Sequence, residues 1–417
     1  MVPQYSPSSS SSSLLALLLV LLLALAPSIT AVGLLKVRHK FLGRRQAIAE
    51  LRTHDIHRHS RILAAVDIPI GGSGIPTDAG LYYAEIAIGT PPTNFHVQVD
   101  TGSDLLWVNC ISCVECPKKS DLGFDLMLYD PKASTTSRCG AHQSGDLGTR
   151  VSLDGILGFG QSNSSMISQL AASGKSGRIF AHCLDTVSGG GIFIIGHVVE
   201  PKVKTTPLVP AQPHYNVNMK GIGVGGAFLQ LPTYLFDTGD GKGTIIDSGT
   251  TMTYLPDEAY QAVMKAIFSN HPNLSFHNIQ GFLCFLYSGS VDDEFPDVVF
   301  HFENSLLLNV YPHDYLFQNG DDDYCVGWQS GGTMSSDGKD MFLLGDLVLS
   351  NKLIVYDLEN QVIGWTEYNC SSSIKVQEGK TATTYSVDAH NISSGRRLQL
   401  QSSTVLLLLA YLLHWIY

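Results

Sequence analysis

The chain has 417 residues, of which 44% are hydrophobic and 15% charged, with 40 glycines and a net charge of −11. That apolar content excludes bulk disorder and is enough for two sizeable cores, while the glycine count and low charge favour a turn-rich β protein over a helical one. Gly33 to Ala65 holds eight Lys/Arg against Glu50 and Asp55, net +6, and the tail from Ser371 is net +2, so residues 66–370 carry −19; a body this acidic argues against nucleic acid as a partner.

In chain order, Leu14–Ala26 (LLALLLVLLLALA) is an apolar run of signal-peptide length, too short for a comfortable bilayer span. Small residues follow at Ser28 and Ala31, so residues 1–31 read as a secretion signal, although nothing before Leu14 is basic. Residues 32–65 are a basic, propeptide-like segment. Facing an acidic body, it reads as an intramolecular clamp of the zymogen kind, with a solvated leader as the alternative. Its His54, His57 and His59 read as solvated rather than metal-binding.

Strands are expected at Leu81–Ile88, which ends in the turn signal Gly-Thr-Pro-Pro, and at Gly191–Ile195 and Tyr215–Met219. Helices are expected near Ser165–Ser173 and at Asp257–Phe268, the latter opened by Pro256 and Asp257. This divides the body into two β-lobes, 66–205 and 206–370, joined near Lys204–Gln212 and followed by a polar linker, 371–395. At the end, the small trio Ser393, Ser394, Gly395, the polar Arg396–Ser403 and the apolar Thr404–Tyr417 have the order of a glycosylphosphatidylinositol (GPI) signal. Attachment would fall at Ser393, with residues 396–417 removed. Asn163, Asn273 and Asn391 open glycosylation sequons; Asn369 opens another whose middle residue is Cys370.

Eight cysteines in a secreted chain read as disulfides. Cys110, Cys113 and Cys116 lack the fourth cysteine of an iron–sulfur run, and neither cluster nor zinc is expected there. Gly221–Gly226 lacks a surrounding βαβ unit and Lys242 lacks a following Ser/Thr, so neither reads as a phosphate loop. Asp321–Asp323 reads as a polar loop rather than a calcium site. No cofactor or metal is expected.

The body contains an internal echo. VQVDTGSDLLWV (97–108) and TIIDSGTTMTYL (244–255) align without gaps, and each is followed by an apolar-apolar-Gly element, Ile156-Leu157-Gly158 and Leu343-Leu344-Gly345. Asp-Thr/Ser-Gly alone is weak, arising by chance about 0.2 times in a chain this long. Two copies in a matched repeat carry chemistry. Gly102 and Gly249 permit close backbone approach, Thr101 and Ser248 can be tied across a pseudo-dyad, and Ser103 and Thr250 can donate to the outer oxygens of Asp100 and Asp247. Two carboxyls brought together cannot both ionise, so they share a proton. One then serves as general base on a water while its protonated partner polarises a carbonyl.

These residues resemble the pepsin-like aspartic proteases, and within them the plant-type, GPI-anchored branch. The motifs are GLYYAEIAIGTPP (80–92), VDTGSDLLWVNC (99–110), the Cys-x-x-Cys-x-x-Cys-Pro run, LDGILGFG (153–160), IIDSGTTMTYLP (245–256) and FLLGDLVLSNKLIVYDLENQVIGW (342–365). The resemblance covers most of residues 66–370. It implies an all-β, bilobal fold with a pseudo-two-fold repeat and an acid endopeptidase cutting between bulky apolar residues. Asp100 and Asp247 would be the catalytic pair, in a monomer acting on peptide or protein at the outer face of the plasma membrane, with a secreted or cell-wall location as the alternative. It also implies disulfides Cys284–Cys325 and Cys183–Cys370, and leaves the pairing of Cys110, Cys113, Cys116 and Cys139 open.

The two halves are unequal. Asp100 to Gly158 spans 58 residues, Asp247 to Gly345 spans 98. In the family the first lobe is the fuller one and carries the flap hairpin that closes over substrate. Nothing between Tyr129 and Leu153 fits that hairpin, so the N-terminal lobe is read as shortened by a deletion, with cysteines left lacking their usual partners. The competing function is a protease-like surface protein that binds without turnover.

Overall fold

The computed structural model describes residues 33–39 and 82–389, apart from stretches at 114–115, 117, 120–124, 134–152, 175, 186–189, 240–241, 280, 320–321, 332–340 and 378–383. The sequence echo is a structural one. Tyr82–Ile88 and Thr93–Asp100 pair antiparallel from Tyr83↔Gln98 to Ile88↔Thr93 across the Gly-Thr-Pro-Pro turn, where Gly89 takes φ 95°. Val97, Val99 and Asp100 at the end of the second strand are buried, and there it turns to a new, parallel partner, Gly155–Gly158, with Asp100 opposite Gly158. Leu106–Val108 lies antiparallel on the far side of that partner. The second half repeats the plan: Gly243–Ile246 runs parallel to Met341–Leu344, and Thr253–Leu255 flanks the same strand through Tyr254↔Leu343.

In each half the chain after the aspartate passes over the end of the apolar-apolar-Gly strand. A Cβ on Gly158 would lie 2.4 Å from the backbone carbon of Asp104, and one on Gly345 would lie 2.2 Å from the carbonyl oxygen of Met252. The small residue is required because backbone occupies the space a side chain would need.

The halves are less separate than expected. A ten-stranded sheet runs in the order Leu106–Val108, Gly155–Gly158, Thr93–Asp100, Tyr82–Ile88, Gly33–His39, Gly191–Ile195, Ile179–Leu184, Lys352–Asp357, Val362–Glu367, Lys204–Pro207, so strands from the second half complete a sheet begun in the first. The expected junction at Lys204–Gln212 is therefore partly an edge strand, registered Thr206↔Ile363. Among the described residues, one buried cluster reaches from Tyr82 to Trp365, and a smaller one surrounds Cys284 and Cys325.

Part of the basic leader is a strand: Gly33–His39 pairs with Tyr82–Ile88 through Val37↔Ala84 and with Gly191–Ile195 through Leu35↔Phe193. Its observed attachment is a backbone ladder, whereas the clamp was expected from side-chain charge. The stretch expected as a polar linker is corrected too. Ile374–Gln377 and Thr384–Val387 form a three-stranded sheet with His197–Glu200, because Ile374, Val376 and Val387 have apolar side chains to bury. Tyr215–Met219 divides at Asn218 into Asn216–Val217 and Met219–Val224. Asn218 Nδ2 donates to Glu303 at 2.7 Å where the chain leaves one sheet for another.

The helices fall where their signals lie. Met166–Ala172 is capped by Ser165, whose hydroxyl accepts from Ser168 N. Asp257–Ile267 buries Ala259, Val263, Met264 and Ile267 on one face, with acids in its first turn and Lys265 in its last.

Candidate active site

Asp100 and Asp247 are the residues that end the two equivalent strands, and they are 1% and 0% exposed. Each turn folds back on its own carboxylate. Gly102 N donates to Asp100 Oδ1 at 2.8 Å and Ser103 Oγ to Oδ2 at 2.6 Å. Gly249 N donates to Asp247 Oδ1 at 2.9 Å and Thr250 Oγ1 to Oδ2 at 2.7 Å. Both oxygens of both groups thus accept a fixed donor, and the two cages mirror each other atom for atom. Such donors fix the plane of each carboxyl group.

The two turns are also tied to one another. The hydroxyls of Thr101 and Ser248 lie 3.3 Å apart, and Ser248 N donates to Thr101 Oγ1 at 2.9 Å. Thr101, Ser248 and Thr250 are all buried, so these bonds form where water cannot compete. All eight residues expected from the repeated motif (Asp100, Thr101, Gly102 and Ser103 with Asp247, Ser248, Gly249 and Thr250) meet in one place.

Sequence reasoning missed one side chain that ties the turns together, Gln98, and a buried polar pair, Tyr356 and His182. Gln98, on the same face of its strand as Asp100 and opposite to Val97 and Val99, donates from Nε2 to Gly249 O at 2.9 Å, a second tie between the turns. Tyr356 is buried, and burial pushes its phenol well above the ordinary value. His182 Nε2 lies 3.1 Å from Tyr356 Oη. Period-2 alternation in TNFHVQVD puts Gln98 on the polar face that ends in Asp100; nothing local marked the other two.

The structure contains the bridges Cys183–Cys370 and Cys284–Cys325, and joins Cys113 to Cys116. Cys110 is disulfide-bonded as well, and no cysteine among the described residues is free, which corrects the expectation of stranded thiols. Cys183–Cys370 links a first-half strand to the end of the second half, 187 residues on. Asn163 and Asn273 lie in exposed turns; Asn369 is exposed, its Oδ1 accepting from Ser371 N. Asn391, Ser393 and most of the segment assigned to the missing flap lie outside the described residues.

A mainly-β, two-part sheet structure with paired aspartate turns at its centre defines a pepsin-like aspartic protease. Family profiles described as "Xylanase inhibitor N-terminal" match residues 82–145 and 130–197, and "Xylanase inhibitor C-terminal" matches 214–367. Aspartic proteinase 36 of Arabidopsis thaliana is 45% identical over 452 aligned positions, covering 92% of this chain and 93% of its own. Aspartic proteinase 39 of the same plant is 43% identical, with coverages of 88% and 90%. In fold, the crystal structure of basic 7S globulin from soybean superposes with TM-score 0.53 at 18% identity, covering 81% of this chain and 96% of that one. The chain belongs to the plant pepsin-like aspartic proteases, hydrolases of the endopeptidase type.

Proposed function

We propose that Asp100 and Asp247 hydrolyse peptide bonds at acid pH, one carboxylate activating a water while the protonated partner polarises the scissile carbonyl. A proton shared between two carboxyls is the general arrangement of aspartic proteases. The observation that carries the assignment to these residues is the mirrored cage, in which each carboxylate accepts one backbone N–H and one hydroxyl. The substrate is an unfolded stretch of peptide or protein. The enzyme acts as a monomer outside the cell, held by a lipid anchor at Ser393.

The first half is proposed to lack the flap. Two features of the comparisons support this. The alignment with Aspartic proteinase 36 runs over 452 positions, more than the 417 residues of the whole chain, so it places gaps opposite that relative. The N-terminal family profile also matches in two pieces that overlap on residues 130–145, beside the unequal Asp100–Gly158 spacing. A flap excludes water and positions substrate, and losing such positioning costs on the order of 10²-fold in rate.

One set of proteins tests both statements: the chain as it stands, the chain with a family-type hairpin inserted between Tyr129 and Leu153, and Asp247→Asn in each. The expected result is acid-limited turnover on an unstructured protein, roughly 10²-fold higher with the insert, and none in either Asn variant. Full activity in the Asn variants overturns the dyad. Equal specific activity with and without the insert overturns the flap reading. Peptide binding without turnover in both versions would make the protein a binder.

A further inference from the structure

The two aspartate cages mirror each other, but the ties between the halves do not. In each turn the two donors to the carboxyl flank one peptide group. Gly249 N and Thr250 Oγ1 stand on either side of the Gly249–Thr250 peptide, as Gly102 N and Ser103 Oγ do for Gly102–Ser103. Whatever holds that peptide plane therefore holds both donors to its carboxyl. In the second turn the plane is held at both ends. Thr250 N donates to Asp247 O at 3.3 Å, and Gly249 O accepts from Gln98 Nε2 at 2.9 Å. The bond from Gln98 crosses from the first half to the second, between residues 151 apart in the chain.

Gln98 reaches from a rigid base. It is 3% exposed and sits in mid-strand, with Tyr83 opposite on one side and Ile156 on the other, so pairing on both edges fixes its Cα. A carbonyl oxygen only accepts, so the amide must present Nε2 to Gly249 O. The repeat offset of 147 puts Ile245 at the mirror position, and its alkyl side chain has no polar hydrogen to give Gly102 O. Ile245 belongs instead to the apolar cluster around Cys284 and Cys325. Thr101 adds to the same bias, since its hydroxyl takes Ser248 N–H at 2.9 Å. First-half side chains thus grip the second turn just before and just after the Gly249 N–H that holds Asp247 Oδ1. Burial follows the same asymmetry: Thr250 is fully buried, Ser103 half-buried.

We propose that Gln98 is a positioning residue of the active site: from the first half it fixes the Gly249–Thr250 peptide and, through it, the two donors that hold the Asp247 carboxyl. The pair is thereby asymmetric, with Asp247 clamped from across the molecule and Asp100 held by its own turn. This deepens the dyad reading above and rests on it. Gly249 is buried, so removing the Gln98 donor strips a carbonyl that water cannot easily reach. Such a group is costly to leave unpaired, and the peptide would tilt towards another donor, taking Gly249 N and Thr250 Oγ1 with it.

The test uses Gln98→Met, which keeps the length of the side chain and removes the donor, and Gln98→Glu, whose carboxyl can donate only while protonated. The first readout needs no turnover. In the full chain, residue-resolved amide exchange should quicken at Ser248, Gly249 and Thr250 in Gln98→Met and stay unchanged at Gly102 and Ser103. Equal quickening in both turns, or none in either, would overturn the asymmetric clamp. Kinetics follow on the chain as it stands and on the hairpin-inserted version. Gln98→Met is expected to lower kcat per folded molecule about 10- to 100-fold with KM little changed. Gln98→Glu should recover part of that at the acid end and lose it as pH rises, because the ionised carboxylate has no hydrogen for Gly249 O. Asp100, on the same strand face, opposes that ionisation and keeps the acid-end rescue within reach. A Gln98→Met protein that loses only thermal stability, or a Gln98→Glu protein no better than it at any pH, would also overturn the proposal. Activity surviving in Asp247→Asn would instead sink the dyad reading, and the exchange result would still report on the clamp.

Discussion

Gly158 and Gly345 show how much of the site is decided by single atoms. Each ends a strand directly under the loop that carries an aspartate, and backbone fills the space where a Cβ would stand. For Gly345 the obstructing atoms are the carbonyl oxygens of Met252 and Thr250, at 2.2 and 2.6 Å, and Asp346 N donates to that same Thr250 oxygen at 2.7 Å. Gly345→Ala should therefore push apart the turn that holds Thr250 against Asp247. The expected cost is about 1–3 kcal/mol, read as a lowered Tm, together with a lowered kcat because the Thr250 donor moves. An unchanged Tm would show that the loop yields freely. At this scale the sequence was informative, since Asp-Thr/Ser-Gly and the trailing glycines are written as short strings. The bond Gln98 makes, and the pairing of His182 with Tyr356, were not legible, because the partners lie 151 and 174 residues apart in the chain.

Among the elements, the leader strand has the clearest consequence. Gly33–His39 stands between Tyr82–Ile88 and Gly191–Ile195 and pairs with both, so removing it would open two strand edges inside the ten-stranded sheet. Unpaired interior edges exchange their amides and invite association. A chain lacking residues 33–39 should lose amide-exchange protection in both flanking strands and secrete poorly. Full protection in the shortened chain would mean another segment takes the slot. Charge alone suggested a leader lying on an acidic surface. Strand propensity in GLLKVRH was visible in the sequence, but the vacancy it fills is defined by strands more than 40 and 150 residues later. The helices were legible because cap and periodicity are local: Ser165 before Met166, and the i, i+4 face of Asp257–Ile267.

For the whole molecule, the tail matters as much as the lobes. Ile374–Gln377 and Thr384–Val387 fold onto His197–Glu200, so an ordered sheet extends beyond the second aspartate half. If Ser393 carries a lipid, treating intact cells with a phosphatidylinositol-specific phospholipase should release the protein. Retention while a known GPI protein is released would rule that anchor out. The sequence by itself determined the β class, the duplication, the aspartate pair and its hydroxyl partners, and the cap-marked helices, because these rest on overall composition, on short strings that match one another (97–108 and 244–255), or on caps and periodicity within one element. Only the tertiary structure decided that the halves share a ten-stranded sheet, that Gly33–His39, Ile374–Gln377 and Thr384–Val387 are strands, that Cys113 pairs with Cys116, and that Gln98 ties the two aspartate turns together. These depend on which strands become neighbours. That is a choice made by burying apolar faces over the whole chain, and no local string encodes it.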